Sequence, residues 1–166
     1  MPFSEMFVHL VWATWDRAPW INAQIESQVW ALLGAKCQEL RCKPLAVGGM
    51  PDHVHVLVGL DPSLAVAELV RQMKGASSYA MTHRLGPARP FRWQRSYSVF
   101  SLRKAEVPTV VQYVTSQKQR HAAGRLSELM ERLDSPDSPG RPKVPARTTL
   151  LQTPGHPRNE QGARTG

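Results

Sequence analysis

The chain has 166 residues, 42% of them hydrophobic, which is room for one domain with its own core plus spare chain and excludes wholesale disorder. Lysine and arginine number 21 against 13 acidic residues, a net charge of +8 that favours polyanionic partners, nucleic acid first among them. Apolar runs such as 54–58 are too short to span a bilayer, the start MPFSEMFVHLVW lacks the pattern of an export leader, and Cys37 and Cys42 have no disulfide or CxxC spacing, so a reduced, cytoplasmic setting without membrane contact is expected.

Residues 6–14, MFVHLVWAT, are rich in β-branched and aromatic side chains and read as a strand. Residues 21–40 have helical spacing, with Ile25, Val29, Leu32, Leu33 and Leu40 on one stripe and Asn22 placed to cap it. A second strand is expected over 43–47, ended by Gly48-Gly49, and a third over 53–60. Pro62-Ser63 opens a helix over 63–84 that carries Leu64, Val66, Ala67, Val70, Met73 and Tyr79 on its apolar side, and 86–90 breaks it. Phe91, Trp93, Tyr97 and Phe100 mark a fourth strand over 91–102. Residues 106–121 form a third helix with Pro108 in its first turn, and Ser127 caps a short continuation to Leu133.

From Asp134 the composition changes. Six of the fourteen prolines fall in 134–166, with five apolar residues, too few to offset the entropy of ordering. The expected organisation is a folded domain over 1–133 and a disordered tail over 134–166. The order β-α-β-β-α-β-α is the split βαβ, ferredoxin-like α+β arrangement. It has a four-stranded antiparallel sheet with helices on one face, leaving the other for an added helix or a ligand, plus a C-terminal helix that bears Tyr113.

The segment Met50-Pro51-Asp52-His53-Val54-His55-Val56-Leu57-Val58 carries the first chemistry. Strand alternation sends His53 and His55 to one face and Val54, Val56 and Val58 to the core. Two imidazoles so spaced can bind one divalent cation if a third ligand comes from elsewhere; two surface histidines met by chance are the plainer alternative. On the last helix Tyr113, Gln117 and His121 lie one turn apart, with Val110, Val111 and Val114 on the packing side. A phenol beside an amide suits a nucleophile next to a metal ligand. Taken alone, the helix reads more simply as a boundary tyrosine and a solvated glutamine.

Together these segments resemble the HUH single-tyrosine transposases, the small insertion-sequence transposases and their REP-associated relatives. The resemblance rests on MPDHVHVLV, on Lys74-Gly75-Ala76-Ser77-Ser78, on the run 91–101 (FRWQRSYSVFS), and on Tyr113 followed by Gln117. His9-Leu10-Val11-Trp12-Ala13-Thr14 with Arg17 and Pro19 is similar to the family's first strand, and the match covers about residues 5–125. It implies that His53, His55 and Gln117 hold Mg²⁺ or Mn²⁺ and that Tyr113 attacks a phosphodiester of single-stranded, hairpin-forming DNA. A 5′-phosphotyrosine link then forms, which a 3′-hydroxyl later reverses. It also implies either homodimers that share sites or monomers that do not. Arg17, Arg71 and Lys74 are the expected DNA contacts, with Arg92, Arg95, Arg103 and Lys104 nearby. Trp93 and Tyr97 are candidates for base stacking, weighed against ordinary core packing. Asp52 is expected to serve the turn, and His121 stays outside the ligand set. A domesticated nuclease acting on chromosomal repeats and a binding-only single-stranded nucleic-acid module are the rival readings.

Overall fold

The computed structural model describes residues 4–85 and 91–124. Strand β1, Phe7–Ala13, lies inside a four-stranded sheet. It pairs antiparallel with β3, His53–Gly59, on one side and with β4, Ser98–Leu102, on the other. Strand β2, Lys43–Met50, adds antiparallel to β3, so the order is β2-β3-β1-β4. Helix α1, Glu26–Glu39, links β1 to β2, and α2, Val66–Ala80, links β3 to β4. This is the expected ferredoxin-like α+β fold.

Strand alternation divides the core. Val8, Leu10 and Trp12 of β1 share a face with Val54, Val56 and Val58 of β3. They pack against Val29, Leu33 and Cys37 of α1 and Leu69, Val70 and Met73 of α2. Each such side chain contributes about 1.5–3 kcal/mol on burial. The opposite face carries His9, His53, His55 and Leu57. Helix α3, Val107–Thr115, covers it with Val110, Tyr113 and Val114, and α4, Gln117–Ala122, follows. The face left open in the sequence reading is therefore occupied by the last helix.

Several boundaries differ from expectation for local reasons. Strand β2 does not stop at Gly48-Gly49 but runs on to Met50. A Cβ at Gly48 would lie 2.4 Å from the Val114 carbonyl oxygen, so the glycine lets α3 lie directly on the strand. The regular fourth strand begins at Ser98; residues 91–97 keep one isolated antiparallel bridge, Trp93 to Thr14 at the end of β1, and are otherwise held by α2. Lys74 Nζ donates to the carbonyls of Gln94 and Ser96 at 2.9 and 2.8 Å, and Trp93 Nε1 donates to Ser77 Oγ at 2.9 Å. Ser78 Oγ donates to the Phe91 carbonyl at 3.1 Å. Asn22 does cap, but one turn early: its Oδ1 accepts from the amides of Gln24 and Ile25, and α1 begins at Glu26. The expected third helix is two. Thr115 and Ser116 hydroxyls donate back to the Val111 and Gln112 carbonyls, and Ser116 leaves the helical conformation at φ −103°, ψ 18°. The breaker at 86–90, the cap at Ser127 and the tail over 134–166 lie outside the described residues. Among the described residues, no helix is long and apolar enough to cross a membrane.

Candidate active site

His53 and His55 are fully buried on the face that α3 covers. His9 joins them from β1, where it sits opposite Leu57, two pairs along from His55 and on the same face. The His9 Nε2 and His55 Nδ1 atoms are 3.0 Å apart, and the rings stack at 5.1 Å with 15° between their planes. Two ring nitrogens can share one proton only if one donates and the other accepts, so this contact fixes the tautomers of both rings relative to each other. Phe100 of β4 closes the other side of His9, with centroids 5.8 Å apart.

His53 is oriented from the turn before it. Its Nδ1 lies 2.7 Å from Asp52 Oδ1, while Asp52 Oδ2 accepts from Arg17 Nη2 at 2.7 Å and Nε at 2.9 Å. Half-burial works against ionisation of Asp52. The hydrogen bond to His53 and the charges of His53 and Arg17 outweigh it, holding the carboxyl below its ordinary 3.8. Arg17 reaches this position from a tight loop after β1, in which both Asp16 and Arg17 adopt φ 52°. Thr14 Oγ1 closes that loop on the Ala18 carbonyl at 2.7 Å.

The helical stripe Tyr113, Gln117 and His121 faces inward, beside Val110 and Val114 and not opposite them. Tyr113 and Gln117 are buried, and Val111 lies at the margin. The Tyr113 ring stands edge-on to His55 with centroids 5.8 Å apart, and the His121 ring lies 5.4 Å from His53. Gln117 falls between these two positions on the same face. Neither Oε1 nor Nε2 of Gln117 has a hydrogen-bond partner among the described residues. A buried amide so placed costs about 1–3 kcal/mol, a sign that the group serves a ligand. Lys118 Nζ pairs with Glu26 of α1 at 2.6 Å and fastens α4 across the edge of β2.

Thus Tyr113, His53 and His55 come together within one chain, Gln117 is buried at the start of α4, and Arg17 reaches His53 through Asp52. Arg71 and Lys74 do not join this cluster. They lie on α2, on the other side of the sheet. Arg71 is exposed and paired with Glu68 at 2.6 Å. Lys74 turns inward over Trp12 and Tyr97, and burial brings its ammonium down from 10.5 to about 8. Trp93 is core, packed edge-on against Trp12 and Phe91. Cys37 is buried against Met73, its thiol pushed up to about 12 chiefly by burial, so it is chemically quiet.

The sequence reading gave His9 no role in the site, left out the contact between Asp52 and His53, and set His121 aside. His9 is an isolated histidine on the opposing strand. Only the register of β1 on β3 makes it a neighbour of His55. Among the described residues, no group of three His, Cys, Asp or Glu side chains is arranged to hold a metal ion. Two imidazoles and an amide nonetheless form a neutral donor set of the kind that binds a divalent cation with oxygens from substrate or water completing it. The buried amide of Gln117 fits that role.

The chain matches the sequence model described as "Transposase IS200 like" over residues 2–117. No curated protein matches it significantly. Among solved structures it is similar to a protein from Deinococcus radiodurans R1 provisionally named a transposase. The TM-score is 0.56 and the identity 23%, covering 76% of this chain and 95% of that one. It is also similar to a REP-associated tyrosine transposase bound to a REP hairpin, with TM-score 0.55 and 12% identity, covering 76% of this chain and 73% of that one. With 2–117 matched and the same fold in both structures, the chain belongs to the IS200-like transposase family.

Proposed function

We propose that this transposase is a metal-dependent strand transferase that nicks and rejoins single-stranded, hairpin-forming DNA through a covalent link to Tyr113. The observation that carries the reading is the approach of the Tyr113 ring of α3 to His55, 5.8 Å between centroids, with Gln117 buried at the start of α4. The family supports a transposase, and the relative bound to a REP hairpin supports hairpin DNA as the substrate class.

In the forward step the Tyr113 phenol loses its proton as its oxygen bonds to phosphorus, the bond from phosphorus to the 3′-oxygen breaks, and the 3′-oxygen takes up a proton and leaves as a hydroxyl. One ester replaces another, so a 3′-hydroxyl can reverse the step without an energy source. His53, His55 and Gln117 would hold Mg²⁺ or Mn²⁺, which when bound supplies positive charge at the scissile phosphate. Asp52 and His9 keep the two imidazoles in fixed tautomers. Arg17 adds a cation beside His53 for the flanking phosphate, and we assign exposed Arg71 to the DNA backbone further off. Lys74 serves the DNA by fixing the 94–96 carbonyls. The approach of the phenol to His55 of its own chain supports cleavage in cis.

The test uses a labelled single-stranded hairpin oligonucleotide taken from the DNA flanking the coding sequence, with Mg²⁺ and a denaturing gel. The wild type gives a shifted covalent band. Tyr113→Phe binds the same DNA and gives no band, and His53→Ala or His55→Ala slows cleavage at least about 10²-fold. Cleavage by Tyr113→Phe overturns the assignment.

A further inference from the structure

We propose that the hollow beside Trp15 is a pocket for one unpaired nucleobase of the DNA strand, with Asp16 selecting bases that carry an exocyclic amine. This rests on the reading of the chain as a single-stranded DNA enzyme and adds a base-recognition site to it. The sequence suggested Trp93 and Tyr97 as stacking residues. The fold instead buries Trp93 and sets Tyr97 against Lys74, while Trp15 stays 40% exposed. Its indole borders a hollow of about 370 Å³ closed by Asp16, Gln94, Arg95 and Ser96. That volume falls within the range of small-ligand pockets.

Three features point to a strand of DNA as the occupant. The first is charge: Arg95 lines the hollow and Arg92 lies against the indole that borders it, and these two exposed arginines form no salt bridge among the described residues. The Arg92 guanidinium lies over the indole, 5.4 Å from its centroid. A base can take the opposite indole face and leave Arg92 for the next phosphate. The second is rigidity. Trp15 N donates to the Arg92 carbonyl and Gln94 N to the Ala13 carbonyl, both at 2.9 Å, and Lys74 holds the 94–96 carbonyls. The walls are therefore formed before any ligand arrives, which lowers the entropic cost of binding. The third is position: the Arg17–Asp52 ion pair ties this loop to His53, so a base held here lies one loop away from the reacting phosphate.

Asp16 sets the specificity. A carboxylate repels phosphate but accepts from the amines of cytosine, adenine or guanine; thymine offers none. The experiment measures fluorescence anisotropy of three labelled twelve-nucleotide strands at fixed salt: oligo-deoxycytidine, oligo-deoxythymidine and a base-free sugar-phosphate chain. Trp15→Ala weakens binding of oligo-deoxycytidine about 10-fold, Trp15→Phe weakens it less, and neither changes binding of the base-free chain. Asp16→Asn erases the preference for oligo-deoxycytidine over oligo-deoxythymidine. Thermal melts check that the variants stay folded. Unchanged affinity of Trp15→Ala for oligo-deoxycytidine, or an equal loss on the base-free chain, overturns the pocket alone. If the wild type binds none of the three strands, the DNA reading of the chain falls with it.

Discussion

His55 has two neighbours that matter in opposite ways. Tyr113 stands at its edge, and His9 meets its Nδ1. The second contact makes His9 a positioning residue. His9→Phe keeps the volume and the stack on Phe100 but removes the nitrogen that His55 faces. We expect Mn²⁺ affinity, measured by calorimetry without DNA, to fall about 10- to 100-fold, with His9→Gln recovering part of the loss. Equal affinity in His9→Phe and wild type would mean that the contact only fills space. Asp52 gives a pH signature. Its carboxyl is held below 3.8 in the fold, so its contribution is complete above that value and lost as pH falls through the folded value. Wild type should therefore melt above Asp52→Asn at pH 6, and the gap should narrow as the pH is taken below 3.8. At this scale the sequence disclosed what strand parity encodes. His53 and His55 had to share a face, and so did Tyr113 and Gln117. It did not disclose His9 or the inward aim of Tyr113, because both depend on which surface packs against which.

Elements place these side chains, and glycine decides how closely. Helix α3 lies on β2 because nothing projects from Gly48 toward the Val114 carbonyl. Gly48→Ala forces the helix outward, and with it Tyr113. We expect cleavage to drop at least 10-fold while circular dichroism reports an intact sheet; unchanged cleavage would show that α3 is free to shift without loss. The same glycines misled the sequence reading into ending β2 at 47, since a glycine pair usually marks a turn. Here it marks a close approach of backbone to helix. The alternating aromatics of 91–97 read as strand, but only Trp93 keeps a bridge to the end of β1. Those aromatics alternate because Phe91 and Trp93 enter the core between hydrogen bonds to α2. The Lys74-Gly75-Ala76-Ser77-Ser78 run reads as a clamp: Lys74, Ser77 and Ser78 each take one part of that segment.

At the scale of the whole molecule, helices lie on both faces of one sheet, with apolar packing on one and chemistry on the other. The apolar face is legible in outline from the order of elements and the two periodicities; the covering of the other face by α3 is not. The order β2-β3-β1-β4 follows once the two crossovers are recognised as split βαβ units. All the site residues lie within 9–121, so a chain cut after Leu133 should melt and cleave as the full chain does. A loss of cleavage with an unchanged melt would assign the remaining 33 residues a part in DNA binding. The central claim is a bond between one side chain and DNA. Mass spectrometry of the trapped protein–DNA adduct, digested to peptides and single nucleotides, tests it most directly. A nucleotide on Tyr113 and nowhere else is expected; an adduct on another residue, or efficient strand cleavage with none, would refute Tyr113 as the nucleophile.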